Sequence, residues 1–72
     1  MKTYGRREWL QLLRMKRHLT QAQVADALGV SLNYYQRLEY GERNPSPELA
    51  KKLAGFFHVP LERLYTAADQ TI

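Results

Sequence analysis

Apolar residues recur at every third or fourth position along the chain, which is the spacing of amphipathic helices. The first predicted helix begins at Trp9 and continues through Leu10 and Leu13, with charged residues between them. We find no run of alternating apolar and polar residues that would indicate a strand. Capping signals divide the following residues into four more helices. The pattern predicts an all-α domain, a compact bundle of five short helices over residues 1–66, with residues 67–72 as a C-terminal tail.

Short polar signals mark the ends of the second and third predicted helices. Thr20 and Gln23 form a predicted capping box, in which each side chain bonds the backbone N–H of the other. Gly29 is expected to end the second helix because a helix often ends on a residue with positive φ. Ser31 is a good N-cap for the third helix. The two predicted helices are Gln21–Leu28 and Leu32–Tyr40.

The fourth predicted helix begins at the run Ser46-Pro47-Glu48, which combines an N-cap, a proline at the first position and an acid in the first turn. Its apolar stripe runs from Leu49 to Phe57 and is wide enough to face a core. Pro60 is expected to break it. Leu61, Leu64 and Tyr65 then indicate a short fifth helix.

The turn Gly29-Val30-Ser31 between the second and third helices is too short for an antiparallel hairpin, so the two helices are expected to cross steeply. Ala25 is small enough to allow a close crossing. Five positions are predicted to face inward: Val24, Leu28, Val30, Tyr35 and Leu38. Four residues of the third helix are predicted to face outward: Leu32, Asn33, Gln36 and Arg37.

The net charge and its distribution are compatible with an anionic partner but do not identify one. The chain has 72 residues and a formal net charge of +4, and residues 1–20 carry the whole excess. A basic helix is either a solvated face or a surface for nucleic acid or anionic membrane. Lys2, Arg6 and Arg7 lie farther from the central helices in the sequence and are interpreted as solubilising charge. Arg17 and Lys16 precede Gln21 closely enough to be neighbours of a phosphate.

Several classes of function lose support from the composition. The chain has no cysteine, which excludes disulfides and thiolate sites. We see no apolar run of about 18 residues and no signal-peptide core, so we expect a cytoplasmic protein without membrane contact. His18 and His58 lack carboxylates at ligand spacing, and nothing pairs a nucleophile with a base. We therefore expect no metal, no cofactor and no enzymatic activity.

The stretch T-Q-x-x-V-A-x-x-L-G-V-S-x-x-x-Y-x-x-L-E-x-G-x-x-N-P, residues 20–45, resembles the Cro/C1-type helix-turn-helix family, also called the xenobiotic-response-element family. The resemblance covers roughly residues 5–65. It implies a lambda-repressor-like fold and a regulator of transcription, most simply a dimeric repressor or autoregulator that reads a palindromic operator in double-stranded DNA. No small-molecule ligand is evident. The alternative is a protein-interaction or antitoxin module on the same fold.

The same resemblance implies roles for individual residues. The positions that match base-reading residues are Leu32, Asn33, Gln36 and Arg37. Those expected to contact phosphates are Gln21, Arg14, Arg17, Tyr34, Arg43 and Asn44. Asparagine can pair with adenine, arginine with guanine, and leucine can contact a thymine methyl group. Arg14 and Glu39 match an ion pair between the first and third helices.

Association follows from the size of the reading unit, because one helix reads only a few base pairs and useful specificity needs two half-sites. The candidate dimer surface consists of Phe56, Leu61, Tyr65 and Ile72. Alternatively, Phe57 and Leu61 only complete the core. Tyr35 is predicted to be in the core with its hydroxyl reaching outward, and Tyr34 is predicted to be exposed.

Overall fold

The computed structural model describes residues 6–65, with the backbone alone described for Tyr65. Four α-helices and one 3-10 helix follow one another along this part of the chain. They are α1 (Glu8–Lys16), α2 (Gln21–Leu28), α3 (Leu32–Tyr40), α4 (Pro47–Phe57) and the 3-10 helix (Leu61–Tyr65). Residues 6–65 contain no strand. The all-α prediction is therefore confirmed over this range.

The fifth predicted helix differs from the prediction in type. Leu61–Tyr65 is a 3-10 helix of five residues, so the described residues form four α-helices rather than five. Pro60 has no N–H and immediately precedes this segment, and so short a piece makes too few α-helical hydrogen bonds to be favoured. The helix before it ends earlier than Pro60, because His58 adopts a left-handed conformation as its C-cap.

The capping signals fix the boundaries of the central helices. The Thr20 hydroxyl accepts from the N–H of Gln23, and the Gln23 side chain accepts from the N–H of Thr20, at 3.0 and 2.8 Å. Gly29 is left-handed, with φ of 76°, which costs glycine little. Ser31 caps α3 by accepting from the N–H of Tyr34. Because these signals are local, both helices have the predicted bounds.

One apolar core joins all the elements. Its buried side chains are Leu10, Val24, Ala25, Leu28, Tyr35, Leu38, Leu49, Ala50, Leu53, Phe57 and Leu64. Of the predicted inward positions, Val30 alone is half-buried rather than buried. Leu61 is 39% exposed, whereas Phe57 is 3% exposed. Phe57 therefore belongs to the core and Leu61 does not.

Arg7 is buried, which contradicts its interpretation as solubilising charge. Only 1% of this residue is exposed. Its guanidinium donates to the backbone carbonyls of Leu38, Arg43 and Leu64 and to Oδ1 of Asn44. Carbonyls in the last turn of a helix lack intrahelical donors and carry partial negative charge, so a cation stabilises them. Arg7 thereby ties the end of α3 to the following loop and to the 3-10 helix.

Candidate nucleic-acid interface

The outward face of α3 presents an exposed polar pair next to an exposed leucine. Leu32 is 43% exposed, and Asn33 and Arg37 are also exposed. Nε of Arg37 donates to Oδ1 of Asn33 at 3.1 Å. These two residues lie four positions apart on the helix, where side chains are neighbours. The bond to Asn33 leaves the two terminal nitrogens of Arg37 available, and their planar arrangement can pair with a guanine edge.

A buried polar cluster lies beneath this face, and Glu39 is its centre. Only 1% of Glu39 is exposed. Its Oε2 accepts from Nε of Arg14 at 2.6 Å and from the hydroxyl of Tyr35 at 2.7 Å. Its Oε1 accepts from Nη2 of Arg14 at 3.3 Å and from Nε2 of Gln21 at 2.9 Å. We use the name buried cluster for the three buried residues Arg14, Tyr35 and Glu39 together with Gln21, which is half-buried.

The surroundings of the buried cluster raise the pKa values of Tyr35 and Arg14. Desolvation raises the pKa of Tyr35 well above its ordinary value, and its bond to the Glu39 carboxylate raises it further. The hydrogen bond to Glu39 raises the pKa of Arg14 as well. The hydroxyl of Tyr35 therefore stays protonated and donates inward. The prediction that this hydroxyl reaches outward is wrong, because Tyr35 is buried and the hydroxyl donates to Glu39 inside the fold.

Gln21 connects the buried cluster to the surface of α3. Gln36 is half-buried, and its Nε2 donates to Oε1 of Gln21 at 3.1 Å. Gln36 therefore differs from the other three outward positions of α3, which are exposed and make no bond to α2. At the start of α2, the N–H groups of Gln21 and Ala22 have no intrahelical acceptor and are donors for an anion.

The segment after α3 supplies a cation beside the same face. The Arg43 guanidinium lies 5.8 Å from the centre of the Tyr34 ring. Tyr34 is half-buried and packs against the core, rather than being exposed as predicted, because α3 places it next to buried residues. Asn44 is exposed, but its Oδ1 is occupied by Arg7.

Arg14 and Arg17, both predicted phosphate contacts, use guanidinium N–H groups within the protein, where Gln21 and Asn44 are bonded as well. Arg14 donates to Glu39 and, through Nη1, to the carbonyl of Leu19 at 2.9 Å. Arg17 donates to the carbonyl of Phe56 and lies over the rings of Phe56 and Phe57, 5.5 and 5.1 Å from their centres. Arg17 thus holds the C-terminal end of α4, where a cation is favoured.

The structure describes the side chains of two of the candidate dimer residues, Phe56 and Leu61. Phe56 is half-buried and contacts the Phe57 ring edge-on at 4.9 Å, whereas Leu61 is exposed. The side chain of Tyr65 and all of Ile72 lie outside the described residues.

An exposed apolar surface lies on α1. Leu12 is 61% exposed and Met15 is 56% exposed. A groove beside them is lined by Trp9, Leu12, Leu13, Lys16, Val59 and Arg63. Sequence reasoning missed this surface, although Leu12 and Met15 visibly fall outside the stripe of Leu10 and Leu13. No helix within residues 6–65 is long and apolar enough to cross a membrane, and these residues hold no cluster of metal-ligating side chains.

The sequence matches one known protein family over most of its length. The helix-turn-helix family matches residues 10–64, from the first core leucine to the last. The chain belongs to this family. In this helix-turn-helix protein, α2 and α3 are the two helices of the motif, and Gly29-Val30-Ser31 is its turn.

Curated proteins of similar sequence are named as transcriptional regulators. The cryptic phage CTXphi transcriptional repressor RstR of Vibrio cholerae is 38% identical over 60 residues, which are 83% of this chain and 54% of the repressor. The uncharacterized HTH-type transcriptional regulator MJ0272 of Methanocaldococcus jannaschii is also 38% identical over 60 residues, 83% of this chain and 91% of that protein. The chain thus spans about half the length of the phage repressor. No solved structure matches closely enough to be significant.

Proposed function

We propose that this helix-turn-helix protein is a sequence-specific regulator of transcription that binds double-stranded DNA by inserting α3 into the major groove. The observation that carries the proposal is the division of α3 into two faces. Tyr35, Leu38 and Glu39 are buried against the rest of the fold, whereas Leu32, Asn33 and Arg37 are exposed. The buried residues hold the helix, and the exposed ones are available to base edges.

The chemistry of the exposed residues fits readout of base edges. The terminal nitrogens of Arg37 match O6 and N7 of guanine, and Nδ2 of Asn33 donates to a base acceptor. Leu32 offers an apolar surface to a thymine methyl group. Nε of Arg37 is already bonded to Asn33, so these two residues act as one reading pair.

We assign the affinity for the DNA backbone to hydrogen-bond donors and a cation around the outward face of α3. The start of α2 offers backbone N–H groups and the Gln21 side chain to a phosphate, and Arg43 beside Tyr34 offers a cation. Arg14 is buried and bonded to Glu39, and Arg17 donates through Nη1 to the carbonyl of Phe56 at the end of α4. We therefore assign phosphate contacts to Gln21, Tyr34, Arg43 and Asn44, and we assign structural roles to Arg14 and Arg17.

The name of the Vibrio cholerae relative supports repression as the mode of regulation. A repressor needs to occupy an operator more tightly than random DNA, and one α3 reads too few base pairs for that. We propose a homodimer on a palindromic operator, with half-sites about 34 Å apart. The exposed Leu61 is the described residue that we assign to the dimer surface.

A protein-binding module is the second candidate, and the exposed Leu12 and Met15 on α1 favour it. Sedimentation equilibrium of Leu61→Glu and of Leu12→Glu separates the two uses of apolar surface. Loss of self-association in Leu61→Glu alone supports the proposed dimer. A chain that is monomeric at all concentrations and binds no duplex supports the second candidate.

Selection of bound sequences from random duplex DNA, at two salt concentrations, tests the proposal as a whole. We expect an enriched palindromic site, and a log-log plot of affinity against salt with a slope of about −0.9 for each neutralised phosphate. Enrichment of no sequence at either salt concentration would contradict sequence-specific binding.

A further inference from the structure

We propose that Gln36 is a positioning residue, which holds the side chain of Gln21 in the orientation that contacts phosphate, and that it is not a base reader. The inference rests on the proposed function, since it assigns roles within the same DNA-binding face. Gln36 was grouped with Leu32, Asn33 and Arg37 because all four follow the outward side of α3. The bonds of the side chains separate it from that group.

Glu39 fixes the orientation of the Gln21 side-chain amide from the interior of the fold. Both oxygens of the buried Glu39 carboxylate accept from Arg14, and a carboxylate has no hydrogen to donate. Gln21 must therefore turn its NH2 group towards Glu39, where Nε2 lies 2.9 Å from Oε1. A flipped amide would place two oxygens against each other. Arg14 and Tyr35 prevent Glu39 from moving aside, because they donate to its Oε2 at 2.6 and 2.7 Å.

The orientation of the Gln21 amide is completed from above by Gln36. With its NH2 group on Glu39, Gln21 presents Oε1 to Gln36, whose Nε2 donates to it at 3.1 Å. The Gln21 side chain is therefore bonded at both ends of its amide before DNA is present. The second N–H of its Nε2 is left for a phosphate oxygen at the start of α2, where the helix dipole also favours an anion.

This arrangement predicts which property of binding each glutamine controls. A phosphate contact is the same at every sequence, so its loss lowers the affinity for all duplexes alike. A base contact changes the preference at one base pair. Because Gln36 acts through Gln21, its removal should lower affinity without changing preference. Base discrimination is then left to Leu32, Asn33 and Arg37.

A double-mutant cycle with Gln21→Ala and Gln36→Ala tests the role. The readout is the dissociation constant for the selected operator, for every single-base-pair variant of one half-site and for an unrelated duplex. We expect Gln36→Ala to weaken all of them by a similar factor, about three- to tenfold for one lost hydrogen bond. In the Gln21→Ala background, Gln36→Ala should cause no further loss.

Three results would overturn the role. The first is a preference lost at one base pair in Gln36→Ala while the unrelated duplex binds as before, which marks a base reader. The second is an effect of Gln36→Ala that persists in full in the Gln21→Ala background. The third is an unchanged affinity for every duplex.

A readout in the free protein separates failure of this role from failure of the proposed function. The side-chain amide protons of Gln36 should exchange with solvent more slowly than those of exposed Gln23, and Gln21→Ala should remove the difference. Equal exchange rates for Gln36 and Gln23 would overturn the role. A wild-type chain that shows the protection and binds no duplex would instead overturn the proposed function, and the role with it.

Discussion

Two groups of polar side chains, one centred on buried Glu39 and one on the outward face of α3, differ in surroundings although the bonds within them are of similar length. The buried cluster of Arg14, Gln21, Tyr35 and Glu39 is held by a carboxylate that is 1% exposed. The exposed pair of Asn33 and Arg37 is joined by one bond of 3.1 Å in contact with water. One group therefore fixes the helix in the fold, and the other can exchange its contacts with water for contacts with a ligand.

The difference teaches that burial, more than bond length, decides what such a group does. A buried charge that loses its partner stays desolvated, so each member of the buried cluster depends on the others. An exposed polar pair is replaced by water at little cost. We expect substitutions of Arg14, Tyr35 and Glu39 to change stability and substitutions in the exposed pair to change binding.

The largest effect on stability is expected from Glu39→Ala. The substitution leaves the Arg14 guanidinium without its carboxylate in a buried site, which costs about 3–5 kcal/mol. Unfolding in urea, followed by circular dichroism, measures the loss. Glu42→Ala is the matched control because Glu42 is exposed, and we expect it to change stability by less than about 0.5 kcal/mol. Equal stabilities for the two variants would contradict the buried cluster as we describe it.

Tyr35→Phe is expected to have the next largest effect. It removes only the hydroxyl that donates to Glu39 at 2.7 Å, and a hydrogen bond to a charged group contributes about 1.5–3 kcal/mol. Tyr34→Phe is its control on the neighbouring position, where the ring lies beside Arg43. The same urea titration compares them. A loss in Tyr34→Phe as large as in Tyr35→Phe would remove the distinction between the two tyrosines.

Alkaline pH should lower the free energy of unfolding through Tyr35. Its folded-state pKa is raised by burial, whereas the unfolded chain releases the same proton near pH 10. Below about pH 10 both states keep the proton, so this contribution to stability is fully present. Above that pH the unfolded state binds fewer protons, and stability falls as pH rises. Unfolding free energies of the wild type and Tyr35→Phe, measured from pH 9 to 11, should show a shallower fall in the variant. Parallel curves would contradict it.

The smallest effect on stability is expected at the exposed pair. Arg37→Ala removes one exposed bond to Asn33, so we expect the free energy of unfolding to change by less than about 0.5 kcal/mol. Thermal unfolding checks this. A loss of several kcal/mol would mean that Arg37 supports the fold and that the two groups do not differ as proposed.

The local features of the fold could be predicted from the sequence because their causes are local. Thr20, Gly29 and Ser31 set the ends of α2 and α3 within a few residues of themselves, and both helices have the predicted bounds. The apolar spacing in α4 likewise predicted its buried stripe. The sequence predicts a helix at the position of the 3-10 helix but does not distinguish a 3-10 helix from an α-helix, because the apolar spacing is similar in the two types.

The long-range features could not be predicted from such patterns. Arg7 bonds residues 31 to 57 positions away, and nothing near Arg7 in the sequence marks it as buried. Helical spacing predicts that Gln36 faces outward, but Gln36 is half-buried, and its bond to Gln21 depends on how α2 and α3 cross. The pairing of Arg14 with Glu39 was expected only through the resemblance of the motif, since both look like ordinary surface charges.

The most direct test of the central claim, that exposed residues of α3 read DNA while the buried cluster holds the helix, is selection from random duplex DNA with the wild type, Arg37→Ala and Arg43→Ala side by side. We predict that Arg37→Ala loses preference at one base pair of each half-site, at a cost of about 1–3 kcal/mol for the wild-type site. Arg43→Ala should enrich the wild-type sequence with lower affinity. If Arg37→Ala enriched the same sequence as the wild type with undiminished preference, the assignment of base reading to this face would be contradicted.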